Sequence, residues 1–245
     1  MNSEVLKLLQ QRYKYQNSNI YVGIMQFVEF TSIYQILTNS LYLSLELKKL
    51  NLEDPNFTKI SQFNKKELLD FQDKLSYSYL SEYFQIQSNI RPYALQNNFL
   101  ISYVLSSLIT CYFGIGDRHL DNICVLQDGQ ILQIDLEHAW FQGLKSKVQE
   151  IIPFRFTKIF SSLYSDNLFE QLFVACHKAL FQNQEVVQFV LDSTPNPLIK
   201  QIVKQKLQCK YQGSTTIEQQ VNILTKEAIN IDELMKMWKG WMYWF

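Results

Sequence analysis

Gly114-Ile-Gly-Asp117-Arg118-His119-Leu-Asp121-Asn122 runs without a break into Ile123-Cys-Val-Leu126, then Gln127-Asp128-Gly129-Gln130, then Ile131-Leu-Gln-Ile134 and Asp135. Two short apolar, β-branched runs around an Asp-Gly pair predict a β-hairpin, expected here with a type I′ turn. The polar residues bracket it: Asp117, Arg118, His119 and Asn122 on the way in, Asp135 on the way out. A hairpin of that length brings Asn122 and Asp135 to one rim. Phosphoryl transfer needs such a set, with one Asp to orient a hydroxyl and oxygen ligands for Mg²⁺. Taken singly, each residue has a plainer role. Asp-Arg-His suits a surface loop held by salt bridges, Asp135 a cap at a strand end, and His119 a structural histidine. Their order around one hairpin is what points to a site.

Outward from the hairpin, the sequence is mainly helical. Upstream, helices are expected over 4–15, 31–50, 66–88 and 93–113. A strand leading into a connector is expected over 20–30, and a loop over 51–65 around Asp54-Pro55. Downstream, a helical stretch starts at Pro153, apolar periodicity covers 167–192, and a further helix follows at 198–209. Pro92 to Gly116 holds no charged residue. Its apolar part is shorter than the ~20 residues that span a bilayer and contains Ser102, Ser106, Ser107 and Thr110, so a helix buried on all sides of a lobe is expected instead of a transmembrane one. The fold class is α+β, mainly helical.

Composition narrows the function classes. Of the 245 residues 47% are hydrophobic and only 19% charged, which describes a folded core and not a disordered tail. Lys plus Arg and Asp plus Glu both total 23, so net charge offers no footprint for nucleic acid. Cys111, Cys124, Cys176 and Cys209 are widely spaced, with no CxxC pair; reduced thiols fit them better than zinc ligands or disulfides.

Gly-Ile-Gly-Asp117-Arg-His119-Leu-Asp-Asn122 with Asp135 after the hairpin resembles the catalytic and metal-binding loops of phosphatidylinositol 3-kinase-like enzymes. The resemblance implies Asp117 as catalytic Asp, His119 as transition-state stabiliser, Asn122 and Asp135 as ligands of Mg²⁺ (or Mn²⁺), and ATP as phosphoryl donor. Glu150-Ile-Ile-Pro153-Phe-Arg155-Phe-Thr157 resembles the end of the activation segment in the protein-kinase branch of that family. Residues 218–245, ending Trp238-Lys-Gly240-Trp241-Met-Tyr-Trp244-Phe245, resemble the FATC module of that branch, which its lipid kinases lack. In that tail, Ile217, Val221, Leu224 and Ala228 share a helix face. Thr215 and Glu218 make a capping box, and Asn230 and Glu233 restart a turn, so a helical hairpin closed by aromatic packing is expected. Its Trp-rich tip would dock on the kinase lobe, on a partner or on a membrane interface.

Val22-Gly23-Ile-Met-Gln-Phe27-Val28-Glu-Phe-Thr31 is similar to the family's hinge strand, which implies Phe27 against adenine and the Val28 backbone bonded to it; an ordinary buried strand explains it as well. The implied organisation is an N-terminal remnant at 1–19, a PI3/PI4-kinase-like C-lobe with partial hinge at 20–210, and FATC at 211–245. No Gly-rich loop or phosphate-binding Lys strand precedes the hinge, so the ATP-binding N-lobe is expected to be largely absent and the chain alone to be inactive. Asp135-Leu136-Glu137 departs from the family's Asp-Phe-Gly or Asp-Leu-Gly, and Glu137 either disturbs Mg²⁺ placement or points away. Three functions follow: a serine/threonine kinase of the DNA-damage branch (ATM or DNA-dependent protein kinase type), acting on protein Ser/Thr in the nucleus or cytoplasm; an inactive pseudokinase serving as an interaction module; and, disfavoured by the FATC ending, a phosphatidylinositol kinase. Regulatory proteins are expected at the FATC end.

Overall fold

The structure, a computed structural model, describes residues 28–52, 58–88, 91–145, 149–192 and 196–245. The helix expected over 4–15 lies outside them. A three-stranded antiparallel sheet places the hairpin: β1 (Phe30–Ser32) pairs with β2 (Ile123–Leu126), and β2 with β3 (Ile131–Gln133). Phe30 lies opposite Leu126 and Ile123 opposite Gln133. The hairpin forms where the sequence predicts it, but its turn is not type I′. That type needs positive φ at both central residues, and here Gly129 (φ 86°) has it while Asp128 does not. The Gly129 N–H donates to the Leu126 carbonyl at 2.9 Å and the Leu126 N–H to the Gln130 carbonyl at 2.8 Å, closing the longer loop that ends in a left-handed glycine. A Cβ at Gly129 would run into the Leu95 backbone, so no other residue fits.

The segment 31–50, expected as one helix, is two: α1 (Ile33–Thr38) and α2 (Leu41–Lys49). Ser32 and Ser40 each cap one, and the Ser40 hydroxyl also donates to Glu82 at 2.8 Å, a tertiary tie that fixes the break. The stretch 66–88 also divides, into α3 (Lys65–Gln72) and α4 (Tyr79–Gln87). Between them Tyr77 takes a left-handed backbone (φ 54°) and donates its hydroxyl to the Trp244 carbonyl at 3.1 Å. Then α5 (Pro92–Phe113) runs through the middle of the molecule and ends at left-handed Gly114. Ile101 and Leu105 on it are exposed, so it is buried along one broad face and not on all sides. No helix among the described residues is long and apolar enough to cross a membrane.

Past the hairpin, α6 is only Lys158–Ser161. The helix expected from Pro153 is absent because Phe154, Arg155, Phe156 and Thr157 are all buried, a demand that one helix face cannot meet. Phe160 of α6 stacks on Tyr103 of α5 at 4.4 Å between ring centroids. Next come α7 (Leu168–Gln182), α8 (Gln184–Asp192), α9 (Pro197–Leu207), α10 (Ile217–Ala228) and α11 (Ile231–Leu234). The cap of α10 is Thr216, whose side chain accepts from the Gln219 N–H, one residue later than the expected Thr215. Tyr243, Trp244 and Phe245 are fully enclosed: the Gln72 amide donates to the Trp244 carbonyl at 3.3 Å and the Ile159 N–H to the Phe245 carbonyl at 2.6 Å.

A buried polar knot ties α5, α7, α9 and α10 together. His177 of α7 bonds Tyr112 of α5 through Nδ1 and lies 3.5 Å from the Cys209 sulfur through Nε2. The Gln220 amide of α10 donates to the Tyr112 hydroxyl at 3.0 Å and to the Lys206 carbonyl at 2.8 Å. Burial lowers the His177 pKa, only partly opposed by a Leu207 backbone bond and by Glu218. The native ring therefore resists a proton that the unfolded chain accepts below about pH 6.5, and stability falls as pH drops through that value. Urea unfolding at pH 7.5 and pH 5 should show a larger loss in the wild-type chain than in His177→Gln; equal losses would contradict the assignment.

Candidate active site

The loop carrying Asp117, His119 and Asn122 is held by one buried side chain. Arg118, 2% exposed, donates from Nε to the Gly116 carbonyl at 2.7 Å, from Nη1 to those of Ile134 (3.0 Å) and Asn122 (3.4 Å), and from Nη2 to that of Asp135. That last bond is 2.6 Å long. The planar, forked guanidinium can reach four carbonyls on both sides of the hairpin at once. Burial pulls its pKa down, opposed by the carboxylates of Glu150, Asp117 and Asp135. The Ile134 N–H also donates to the Asn122 carbonyl at 3.1 Å, so the backbones of the two expected metal ligands are locked together.

Around Arg118 the expected residues converge in part. The Asn122 amide donates to the Asp117 carbonyl (2.9 Å) and to its Oδ2 (3.2 Å), and His119 Nε2 lies 3.8 Å from the same oxygen. His119 Nδ1 accepts the Asp121 N–H at 3.2 Å. Asp117 and Asp135 both have positive φ, 59° and 52°, a conformation an ordinary loop residue avoids. The side chain of Asp135 is exposed and touches neither Asp117 nor Asn122 by hydrogen bond; Glu137 is exposed as well. The loop is fastened to the connector by the Ser32 hydroxyl, which donates to Asp121 at 3.1 Å, and by the Tyr34 N–H, which donates to the Leu120 carbonyl at 3.1 Å. Val28 is half-buried just ahead of β1, while Phe27 lies outside the described residues.

Two residues outside the expected site set complete the arrangement. Glu150 accepts the Asp117 N–H on Oε2, and the Arg118 N–H (3.1 Å) and the Trp241 indole N–H (2.6 Å) on Oε1. Arg155, also 2% exposed, donates to the carbonyls of Trp241 (2.6 Å), Met242 (2.8 Å) and Arg118 (3.4 Å), with its guanidinium 4.1 Å from the Trp241 ring centroid. Burial draws its pKa down to about 9, which leaves it charged at neutral pH. Both belong to the quoted motif Glu150–Thr157, but their partners lie about 33 residues before and 90 after, and no spacing rule reveals that. Beside Asp117 a cavity of about 230 Å³ opens, walled by Glu150, His138, Gly143, Met237, Trp238 and Trp241. Trp238 is 56% exposed and meets the His119 ring edge to face at 6.2 Å.

The family model for phosphatidylinositol 3- and 4-kinase matches residues 2–199, and the FATC domain model matches residues 214–245. This chain belongs to the phosphatidylinositol 3- and 4-kinase family. It is 26% identical over 170 residues to the serine/threonine-protein kinase MEC1 of Kluyveromyces lactis and 30% identical over 165 residues to TEL1 of the same yeast. Those matches cover 62% and 60% of this chain but only 7% and 6% of the relatives, so the chain spans under a tenth of their length. In fold it is similar to the FAT and kinase domain of CtTel1, with a TM-score of 0.67 and 18% identity over 89% of this chain and 18% of that one.

Within this family member, the Glu150–Trp241 bond is a testable joint between the FATC module and the Asp117–Asn122 loop. Trp241→Phe removes the indole N–H together with part of the ring, and Glu150→Ala removes the acceptor. A double-mutant cycle by urea unfolding should return a coupling of about 1.5–3 kcal/mol, the range of a hydrogen bond to a charged group. A coupling of zero would mean that the bond does not form.

Proposed function

We propose that the chain is the catalytic C-lobe of a serine/threonine protein kinase that transfers the γ-phosphoryl group of ATP to protein hydroxyls. The observation that carries this reading is the Arg118 staple, which fastens the Asp117 loop to the Asn122 and Asp135 backbones on the two sides of one hairpin. Asp117 takes the proton of the acceptor Ser or Thr hydroxyl as that oxygen bonds to the γ-phosphorus and the bond to the ADP oxygen breaks. His119, within 3.8 Å of Asp117, stands ready to stabilise charge on the transferring group. Asn122 and Asp135 fit a hard cation, being oxygen donors: the Asn122 amide nitrogen is engaged by Asp117, which leaves Oδ1 as the donor atom for Mg²⁺ (or Mn²⁺ in its place). The ion, when bound, neutralises phosphate charge. Phe27 and Val28 are assigned to the adenine.

Relatives named as serine/threonine-protein kinases, together with a C-terminal FATC match, favour protein over lipid as acceptor. The division follows as a remnant over 1–19, a C-lobe over 20–210 and FATC over 211–245, the exposed Trp238 offering regulatory proteins a contact. We assign the chain to DNA-damage signalling, and hence to the nucleus, on its ATM-type motifs; the similar MEC1, TEL1 and rad3 of Schizosaccharomyces pombe are named as protein kinases. In the polypeptide that carries these residues, Asp117→Ala should lower kcat for a Ser/Thr peptide by about 10²–10⁴-fold with folding intact by circular dichroism. Undiminished turnover would overturn the assignment.

A further inference from the structure

Away from Asp117, a second cavity of about 320 Å³ lies between the end of α5, α9 and the segment Glu150–Pro153. Its walls are largely apolar, with Ile151, Ile152, Pro153 and Ile202 among them, and Thr110, Gln205, Glu150 and Lys206 of α9 also line it. Lys206 is 5% exposed. Its ammonium donates to the Cys111 carbonyl in the last turn of α5 at 2.6 Å, lies 3.6 Å from the Cys111 sulfur, and sits 5.2 Å from the ring centroids of both Phe141 and Tyr211. Among the described residues no carboxylate forms an ion pair with it; Glu227, which accepts the Tyr211 hydroxyl at 3.1 Å and acts on the neighbouring Cys111, is the carboxylate on the α10 side. That is an uncommon environment, since a buried Lys is nearly always matched by an anion, and a helix C-terminus and two aromatic faces supply only partial negative charge. The carboxylate at the far end of the cavity, Glu150, is already committed to three N–H donors.

We propose that this cavity binds a small apolar carboxylate, its anion set against Lys206 and its hydrocarbon body against Ile151, Ile152, Ile202 and Pro153. One buried cation calls for one negative charge. A phosphate dianion would leave an excess charge among apolar walls, whereas a monocarboxylate balances Lys206 and covers surface that otherwise meets water. Glu150 and Gly116 line the same space, so the bound acid rests against the back of the catalytic loop. The site goes beyond the kinase reading and does not depend on it.

Calorimetric titration of the 245-residue chain with octanoate and with octan-1-ol, which share a tail but not a charge, tests this. Octanoate should saturate one site and bind at least about tenfold more tightly than the alcohol. Lys206→Met should erase the difference, and Ile202→Trp, which fills the cavity from its wall, should abolish binding of both. Should Lys206→Met fail to fold, the Ile202→Trp titration decides. Equal binding of acid and alcohol to the wild-type chain, no saturable octanoate binding, or octanoate binding unchanged in Ile202→Trp would each overturn the proposal.

Discussion

Arg155 brings a full positive charge to a place that water does not reach, and carbonyls satisfy its two Nη groups while Nε is left without a partner. Trp241 and Met242 of the C-terminal tail and Arg118 of the Asp117–Asn122 loop provide those carbonyls, and the Trp241 indole covers the guanidinium face. The cost of taking the charge out of water is met only while all of these partners stay in place. The Asp117–Asn122 loop and the last residues of the chain, more than a hundred positions apart, are thereby bound into one unit. Glu150 repeats the connection with the opposite charge, accepting N–H groups from the same loop and the same tail.

From that constraint the burial of Tyr243, Trp244 and Phe245 follows. The tail is not an appendage packed on a finished lobe: it supplies core side chains and backbone acceptors to α3, α6 and the loop at Tyr77. Of the ways the Trp-rich end could dock, attachment to its own lobe takes Trp241 and Trp244, while Trp238 stays at the surface beside His119. The positive φ values at Asp117 and Asp135 are held by the four-carbonyl grip of Arg118 and by Glu150, and without those bonds each residue would relax toward an ordinary backbone.

What the sequence disclosed was local. The hairpin was legible because β-branched runs and an Asp-Gly pair act within a dozen residues, although the turn type was not, since it depends on how closely Leu95 approaches Gly129. The helix read over 93–113 matches α5 almost to the residue. Breaks at Ser40 and Tyr77 escaped notice because each is set by a partner far along the chain, Glu82 and Trp244. The stretch after Pro153 carries helical residues but is straightened by burial of four side chains in a row. Asp117, His119 and Asn122 were readable as a group from their motif, whereas Glu150 and Arg155 stood in plain view without any hint of what they hold.

Native-state hydrogen exchange tests most directly whether the tail and the Asp117–Asn122 loop form one cooperative unit. The amides of Asp117 and Arg118, bonded to Glu150, and of Ile159, bonded to the Phe245 carbonyl, should open with the same free energy and the same denaturant dependence. Opening of the Ile159 amide at a markedly lower free energy, with Asp117 and Arg118 still protected, would show that the tail detaches on its own and would contradict the account.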